Sequence, residues 1–194
     1  ALNKAREKGK SIKCANNLKQ IGLYVNVYVN DMDGMLPPKQ YNAASGYQPY
    51  WHESLKIAIP EMSEDLFHCP SMVPTNFNWV YRPDYGMNFN FYHGLGNEIA
   101  VKVVKCKTPS KKMLEMDSWL NQSDNTPDTS RGFWRVSFYS SLYSNVNYGR
   151  PAARHDSSAN IMWVDGHVSN ARISNPVVPF SCYPFSDVNL YKQT

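Results

Sequence analysis

Two histidines near the end of the chain flank a stretch that reads as a strand and a turn, in RHDSSANIMWVDGHV. Histidine and aspartate serve as metal ligands and as general acids or bases, so His155 and Asp165 are the first candidates for chemistry. Residues 159–164 are apolar and β-prone, and Asp165-Gly166 predicts a type I′ hairpin turn. The strand would separate His155 from His167 by roughly 25–30 Å. One metal is not expected to bind both histidines, and architecture is the favoured interpretation.

A metal-dependent hydrolase built around His155 and Asp165 stays open as a minor alternative. The sequence contains no G-x-S-x-G, no H-E-x-x-H and no phosphate-binding glycine loop. NDMDG at residues 30–34 resembles the start of a calcium loop, but Gln40 and Tyr41 stand where its closing Glu belongs. The sequence therefore predicts that the chain is not an enzyme, with no catalytic residue and no bound cofactor or metal.

Four cysteines are present, Cys14, Cys69, Cys106 and Cys182, and none forms a C-x-x-C pair. The spacing argues against a zinc ribbon. An even number suits an oxidising compartment, whereas four buried free thiols would suit the cytosol. Four cysteines allow three pairings, and the sequence alone does not choose among them.

A long helix is predicted at the N-terminus, over residues 2–33. Apolar residues recur at steps of mostly three and four, which defines one buried face. That face consists of Cys14, Leu18, Ile21, Val25, Tyr28, Val29 and Met32. Gly34 and Pro37-Pro38 end the helix. At 1.5 Å per residue it would be about 45 Å long, so its first turns are expected to make few contacts with the rest of the protein.

Basic residues crowd the start of this helix, although the net charge of the chain is only +4. They are Lys4, Arg6, Lys8, Lys10, Lys13 and Lys19. A solvated face is the favoured interpretation, with contact with a membrane surface as the alternative. Nucleic acid is not an expected partner, because no nucleic-acid-binding motif accompanies the charge.

The length of the chain, 194 residues, predicts a single domain. WHESLKIAI predicts a short helix, whereas KMLEMDSW and ANIMWV predict strands between long loops. IAVKVVKC predicts a further strand, with a helix as the alternative because the apolar run is short. The expected fold class is α+β, a long N-terminal helix packed on an antiparallel sheet. The expected organisation is a helix over residues 1–33 and a head over residues 34–194 that includes the C-terminal half of the helix.

Several blocks resemble bacterial type IV pilin-like pseudopilins, and in particular the prepilin-type, general secretion pathway G-like group with a C-terminal H-x9-D-G motif. CANNLKQIG and ANIMWVDGHV carry the resemblance most specifically, and His155, Asp165 and Gly166 fit the motif. FHCPS, YGMN and MLEMDSW are also similar to blocks of that group. The resemblance extends to about Ile173, and residues 175–194 match no pattern.

The resemblance implies a structural subunit of a type II secretion or type IV pilus-like assembly, with a pilin-like fold. A hydrophobic segment upstream of residue 1 would anchor it in the inner membrane, with the head in the periplasm. Its partners would be other pseudopilins, bound through the N-terminal helix. Some G-type pseudopilins bind calcium, but their calcium loop does not map onto this chain.

An extracytoplasmic head would also favour disulfides. Cys14 lies on the buried helix face, and Cys69 follows the apolar Leu66 and Phe67, so a Cys14–Cys69 bond is predicted. Cys106 and Cys182 form the remaining predicted pair. The alternative function is an exported binding module, for glycans or another surface ligand, that uses the aromatic-rich loops within residues 41–92.

Overall fold

The structure is a computed structural model that describes residues 2–38, 49–72, 83–88, 102–106, 108–137 and 144–173. Within these ranges the chain forms helices and one seven-stranded sheet. The α-helices are α1 (Leu2–Asp31) and α2 (Trp51–Ala58). The strands are β1 (Tyr85–Asn88), β2 (Met113–Asn121), β3 (Pro127–Asp128), β4 (Arg135–Val136), β5 (Gly149–Pro151), β6 (Ser158–Trp163) and β7 (Val168–Arg172). Short 3-10 helices cover Glu64–Phe67, Val103–Lys105 and Pro109–Lys111.

Helix α1 has the buried face that the apolar spacing predicts. Cys14, Leu18, Ile21 and Val25 are buried, and Tyr28 and Val29 pack partly buried against the same core, whereas Met32 is exposed. The helix ends two residues before the predicted boundary. Asp33 and Gly34 take positive φ there, and the Gly34 N–H donates to the Val29 carbonyl at 2.8 Å, as in a Schellman cap.

The sheet differs from the predicted antiparallel, pilin-like sheet, and that prediction is wrong. Strand β2 pairs antiparallel with β1, β3, β5 and β6, but β4 pairs parallel with both β1 and β5. The pairings β1–β4–β5–β2–β1 therefore close a four-stranded ring, and β3, β6 and β7 extend the sheet beyond it.

Close backbone approach explains how so small a ring closes. A Cβ atom on Gly86 of β1 would lie 2.5 Å from Val136 Cγ2 of β4, and one on Gly149 of β5 would lie 2.5 Å from the Arg135 carbonyl. Only glycine fits where two strands meet this closely. Sequence periodicity does not reveal such contacts, because β4 is two residues long.

The sheet separates two groups of buried apolar side chains. Ile161 and Trp163 of β6 belong to one group, while Met162 belongs to the larger group that also contains the buried face of α1. This alternation follows from the two-residue period of a strand. Helix α1 lies against β6, where Asn160 Nδ2 donates to the Ser11 carbonyl at 3.2 Å.

The predicted hairpin is formed by β6 and β7, which pair antiparallel. Its turn is not the predicted type I′ turn, because Gly166 has a φ of +85° but Asp165 does not share the positive φ. The Gly166 N–H donates to the Trp163 carbonyl at 2.9 Å, and the Trp163 N–H donates to the His167 carbonyl at 3.0 Å. Gly166 thus takes the left-handed position that follows a turn in a longer hairpin loop.

The other predicted elements have mixed outcomes. WHESLKIAI contains α2 and KMLEMDSW begins β2, as predicted. Within the predicted strand IAVKVVKC, Val103–Lys105 is a 3-10 helix, and residues 99–101 lie outside the described ranges. None of the described helices is long and apolar enough to cross a membrane.

Candidate functional site

A disulfide joins α1 to the segment that crosses it. Cys14 and Cys69 are bonded, with their Cα atoms 5.4 Å apart, and this is the pair that the sequence predicts. Both residues are fully buried. Cys106 is a buried free thiol whose pKa is raised by burial. Its predicted partner, Cys182, lies outside the described residues.

His155 lies beside this disulfide at the start of the β6 hairpin region. Its Nε2 atom is 3.5 Å from Cys69 Sγ and 3.3 Å from Asp117 Oδ2, and its Nδ1 atom is 3.4 Å from Ser71 Oγ. The ring is buried. The histidine of the H-x9-D-G motif therefore contacts both the disulfide and a buried carboxylate.

A tight turn orients His155. The backbone groups of His155 and Ser158 exchange hydrogen bonds of 3.0 and 3.1 Å, and the two residues between them, Asp156 and Ser157, have φ of 52° and 59°. Positive φ at both central positions is the signature of a type I′ turn. The turn predicted at Asp165 thus occurs instead directly after His155.

Asp117 projects from β2 into the same cluster. Its Oδ2 atom accepts a 2.7 Å hydrogen bond from the Asn160 N–H of β6. The Arg154 Nε atom lies 3.6 Å from Asp117 Oδ1, and Arg154 Nη2 donates to the carbonyl oxygens of Asp84 and Ser118 at 2.6 and 2.8 Å. A guanidinium thus lies next to the buried carboxylate and offsets its charge.

A second carboxylate fixes the segment that carries Cys69. Asp84 Oδ2 accepts a 2.8 Å hydrogen bond from the Cys69 N–H and lies 2.8 Å from His68 Nδ1. From α1, Asn17 Nδ2 donates to the His68 carbonyl at 2.9 Å. Tyr85 is buried nearby, and burial raises the pKa of its hydroxyl well above the ordinary value. These contacts hold the disulfide from both sides.

A cavity of about 560 Å³ opens between the first turns of α1 and the His155 turn. Its wall includes Glu7 and Ser11 of α1 together with Arg154, His155 and Asp156. A hydrogen bond from Lys10 lowers the pKa of Glu7, and the nearby His155 and Ser71 lower it further. The cavity gives solutes a route towards His155.

The structure does not bring the two predicted metal candidates together. His155 precedes β6, whereas Asp165 follows it, in an exposed turn where Asp165 Oδ1 accepts a 3.2 Å hydrogen bond from the His167 N–H. Asp165 and Gly166 therefore shape the hairpin loop. The partners that His155 does have, Asp117 and Cys69, are not the ones that the motif suggests.

Sequence reasoning missed Asp117, although one signal was available. Every residue of β2 is buried, so MLEMDSW places two carboxylates in a buried strand. Aspartate and glutamate are almost never fully buried unless they have a partner. A buried Asp117 therefore requires a partner, but the sequence does not indicate which residue that partner is.

Of the described aromatic residues that motivated the binding-module alternative, Tyr50 is partly buried and the others are buried. Trp51, Phe67 and Tyr85 are all fully inaccessible to solvent, and Trp51 Nε1 donates to the Trp134 carbonyl at 2.7 Å. These side chains belong to the core. The parts of residues 41–92 numbered 41–48, 73–82 and 89–92 lie outside the described ranges.

The face of α1 that points away from the head carries a second pattern. Successive residues of an α-helix are rotated by about 100° around the helix axis. Viewed along that axis, one set of exposed residues falls within an arc of about 80°, and the centre of this arc lies about 170° from the centre of the buried face. We name this set the outer seam: Leu2, Ala5, Gly9, Ile12, Asn16, Gln20, Leu23, Val27 and Asn30. Successive members are three or four residues apart, and none is charged.

Two features are thus available for function, the outer seam and the buried cluster at Cys14, Cys69, Asp117 and His155. The first can pack against another helix, and the second can lock α1 to the head. A search against protein-family models, curated proteins and solved structures finds no match to this chain.

Proposed function

We propose that this chain is a structural subunit that assembles through α1, of the pseudopilin-like kind that its sequence resembles. The observation that carries the proposal is the outer seam, an uncharged stripe that runs the length of α1 on its solvent side. A helix that packed only on its own head would need one apolar face. A second face without charges is typical of a helix that also packs on a neighbour.

The chemistry of the outer seam suits contact between helices. Leu2, Ile12, Leu23 and Val27 are among the exposed large hydrophobic residues. Ala5 and Gly9 are small and allow two helix backbones to approach closely, as in helix pairs inside membranes. The proposed occupant is therefore the outer seam of α1 in a second copy of the chain.

The buried disulfide supports the proposed location of the head outside the cytoplasm. Disulfides persist in oxidising compartments and are rare in the cytosol. The Cys14–Cys69 bond also couples the helix rigidly to the head. In an assembly built on helices, that coupling would carry each head along with its helix and place the heads on the outside.

Charge-insertion variants test the proposal. Leu23→Lys places a charge in the outer seam, whereas Asn26→Lys adds the same charge to an exposed position of α1 beside it. Burying a leucine contributes about 1.5–3 kcal/mol, so Leu23→Lys should weaken self-association about tenfold or more. Sedimentation velocity over a range of protein concentrations measures the association constant.

The expected result is concentration-dependent association that Leu23→Lys weakens and Asn26→Lys leaves unchanged. Added salt should strengthen the association, because basic residues such as Lys13 and Lys19 flank the outer seam and repel one another. Equal association of the two variants, or a chain that stays monomeric at every concentration and salt level, would contradict the proposal.

A further inference from the structure

We propose that Cys14, Cys69, Asp117 and His155 form a tetrahedral zinc site when the disulfide is reduced. One sulfur, nitrogen or oxygen atom from each residue lies within 4.8 Å of the others, and all four residues are buried. Thiolate, imidazole and carboxylate are the three ligand types that zinc takes in proteins. The inference is independent of assembly through α1.

The distances fit the edges of a zinc tetrahedron. With Zn–S about 2.3 Å and Zn–N about 2.0–2.1 Å, an ideal tetrahedron separates sulfur from nitrogen by about 3.5–3.6 Å and nitrogen from oxygen by about 3.3–3.4 Å. His155 Nε2 lies 3.5 Å from Cys69 Sγ and 3.3 Å from Asp117 Oδ2. The distances from His155 Nε2 to a sulfur ligand and to the carboxylate ligand therefore already match two edges of the tetrahedron.

Neighbouring groups orient the ligands as they do in known zinc sites. A metal-bound histidine almost always donates its other ring N–H to a polar neighbour. Ser71 Oγ, 3.4 Å from His155 Nδ1, can accept a hydrogen bond from the Nδ1–H group, which leaves the lone pair of Nε2 directed towards the site. The Asn160 N–H fixes Asp117 Oδ2 by a 2.7 Å hydrogen bond.

The local charge also suits a metal. Two thiolates, one carboxylate and Zn²⁺ carry one net negative charge, and the Arg154 guanidinium beside Asp117 balances it. Among the described residues, Asp117 Oδ1 and the Nε and Nη1 atoms of Arg154 have no hydrogen-bond partner. Buried polar atoms without partners are costly. The metal complex would carry the same single negative charge that Asp117 carries beside the disulfide, so the guanidinium would keep its counterion.

The disulfide and the metal exclude each other. A dithiol reductant transfers two electrons and two protons to the Cys14–Cys69 bond, giving two thiols and the oxidised, disulfide form of the reductant. Zn²⁺ then displaces the two thiol protons, because only thiolates bind the metal. The cavity beside His155 is the route of entry. The disulfide and the zinc ion are thus alternative cross-links between α1 and the head.

Cobalt(II) provides a direct probe, since a four-coordinate thiolate site gives visible ligand-field bands and a near-ultraviolet charge-transfer band. The protein carries Cys106→Ser and Cys182→Ser so that other thiols cannot bind the ion. It is reduced with a dithiol, desalted without oxygen and titrated with Co²⁺ and then Zn²⁺. We expect one equivalent of Co²⁺ to bind, Zn²⁺ to displace it, and the disulfide form to bind none.

Variants distinguish metal binding at the proposed site from adventitious metal binding by free thiols. Ser71→Ala should weaken Zn²⁺ affinity about 10–100-fold, as loss of an orienting neighbour does. His155→Ala should remove the four-coordinate spectrum, whereas His167→Ala, at the exposed end of the hairpin, should leave it unchanged. Circular dichroism of each disulfide form checks the fold. A reduced protein without the spectrum, or an unchanged spectrum in His155→Ala, would overturn the proposal.

Discussion

Breaking the Cys14–Cys69 bond should destabilise the protein strongly. The bond closes a loop with a sequence separation of 55 residues. In the chain-entropy model, a loop of this length restricts the unfolded chain by about 4 kcal/mol at 25 °C. Because whole domains are stable by only about 5–15 kcal/mol, this is a large share of the free energy of unfolding.

Three variants in urea denaturation, in the presence of a chelator, test this reasoning: Cys14→Ala, Cys69→Ala and the double variant. Either single change breaks the same bond, so each should lower the free energy of unfolding by about 4 kcal/mol, and the double variant should lose little more. Two independent buried thiols would instead give single effects that add. Additive losses of about 1–2 kcal/mol each would refute the stabilising role of the bond.

Four further results are expected. Gly166→Val should lower stability by more than about 1 kcal/mol, because φ is +85° there and the new Cβ would lie 3.3 Å from Asn26 Nδ2; a variant that melts like the parent would contradict this. Glu115 has a carboxyl pKa raised by burial, so the folded state holds its proton longer than the unfolded state, and stability falls as pH rises above about 4.3. Glu115→Gln should therefore melt higher than the parent at pH 7 and converge with it near pH 4, and equal differences at both pH values would count against the reasoning. A chelator should leave the melting temperature of the disulfide form unchanged, and a fall reversed by zinc or calcium would show that this form needs metal. Amide exchange should be fast before Ile12 and slow after Leu18, where α1 becomes buried, and uniform protection from Ala5 onward would contradict the exposed start of the helix.

Elements with strong local signals could be predicted from the sequence. The spacing of apolar residues from Cys14 to Val29 predicted the buried face of α1, because residues three or four positions apart lie on the same side of a helix. The apolar run ANIMWV predicted strand β6, and the segment WHESLKIAI predicted helix α2. The Cys14–Cys69 pair was predicted from the extracytoplasmic location that the resemblance implies, together with a buried helix position for Cys14 and apolar neighbours of Cys69 at residues 66–67.

The ring of strands could not be predicted, because three of its four members are too short to show a period. Strand β4 covers two residues, β5 three and β1 four. Their positions depend on the close approach allowed at Gly86 and Gly149, which is a tertiary contact. Parallel pairing of β4 with both neighbours requires long connections, and a sequence pattern does not reveal where such connections lead.

Only part of the candidate site could be predicted from the sequence, for a related reason. His155 stood out by residue type, but its partners come from α1, β2 and the segment after a 3-10 helix. Asp117 is separated from His155 by 38 residues of chain, counted from their numbers. Only the fold brings these groups together, so the motif pairing of His155 with Asp165 pointed to the wrong carboxylate.

Site-specific photo-cross-linking of α1 tests the central claim most directly. A benzophenone amino acid is placed at Leu23, in the outer seam, or at Asn26, exposed on the same helix turn but off the seam. Assembly through the outer seam predicts a Leu23 cross-link to α1 of a second copy, mapped by mass spectrometry to outer-seam residues, and no such product from Asn26. Equal intermolecular products from both positions, or from neither, would contradict it.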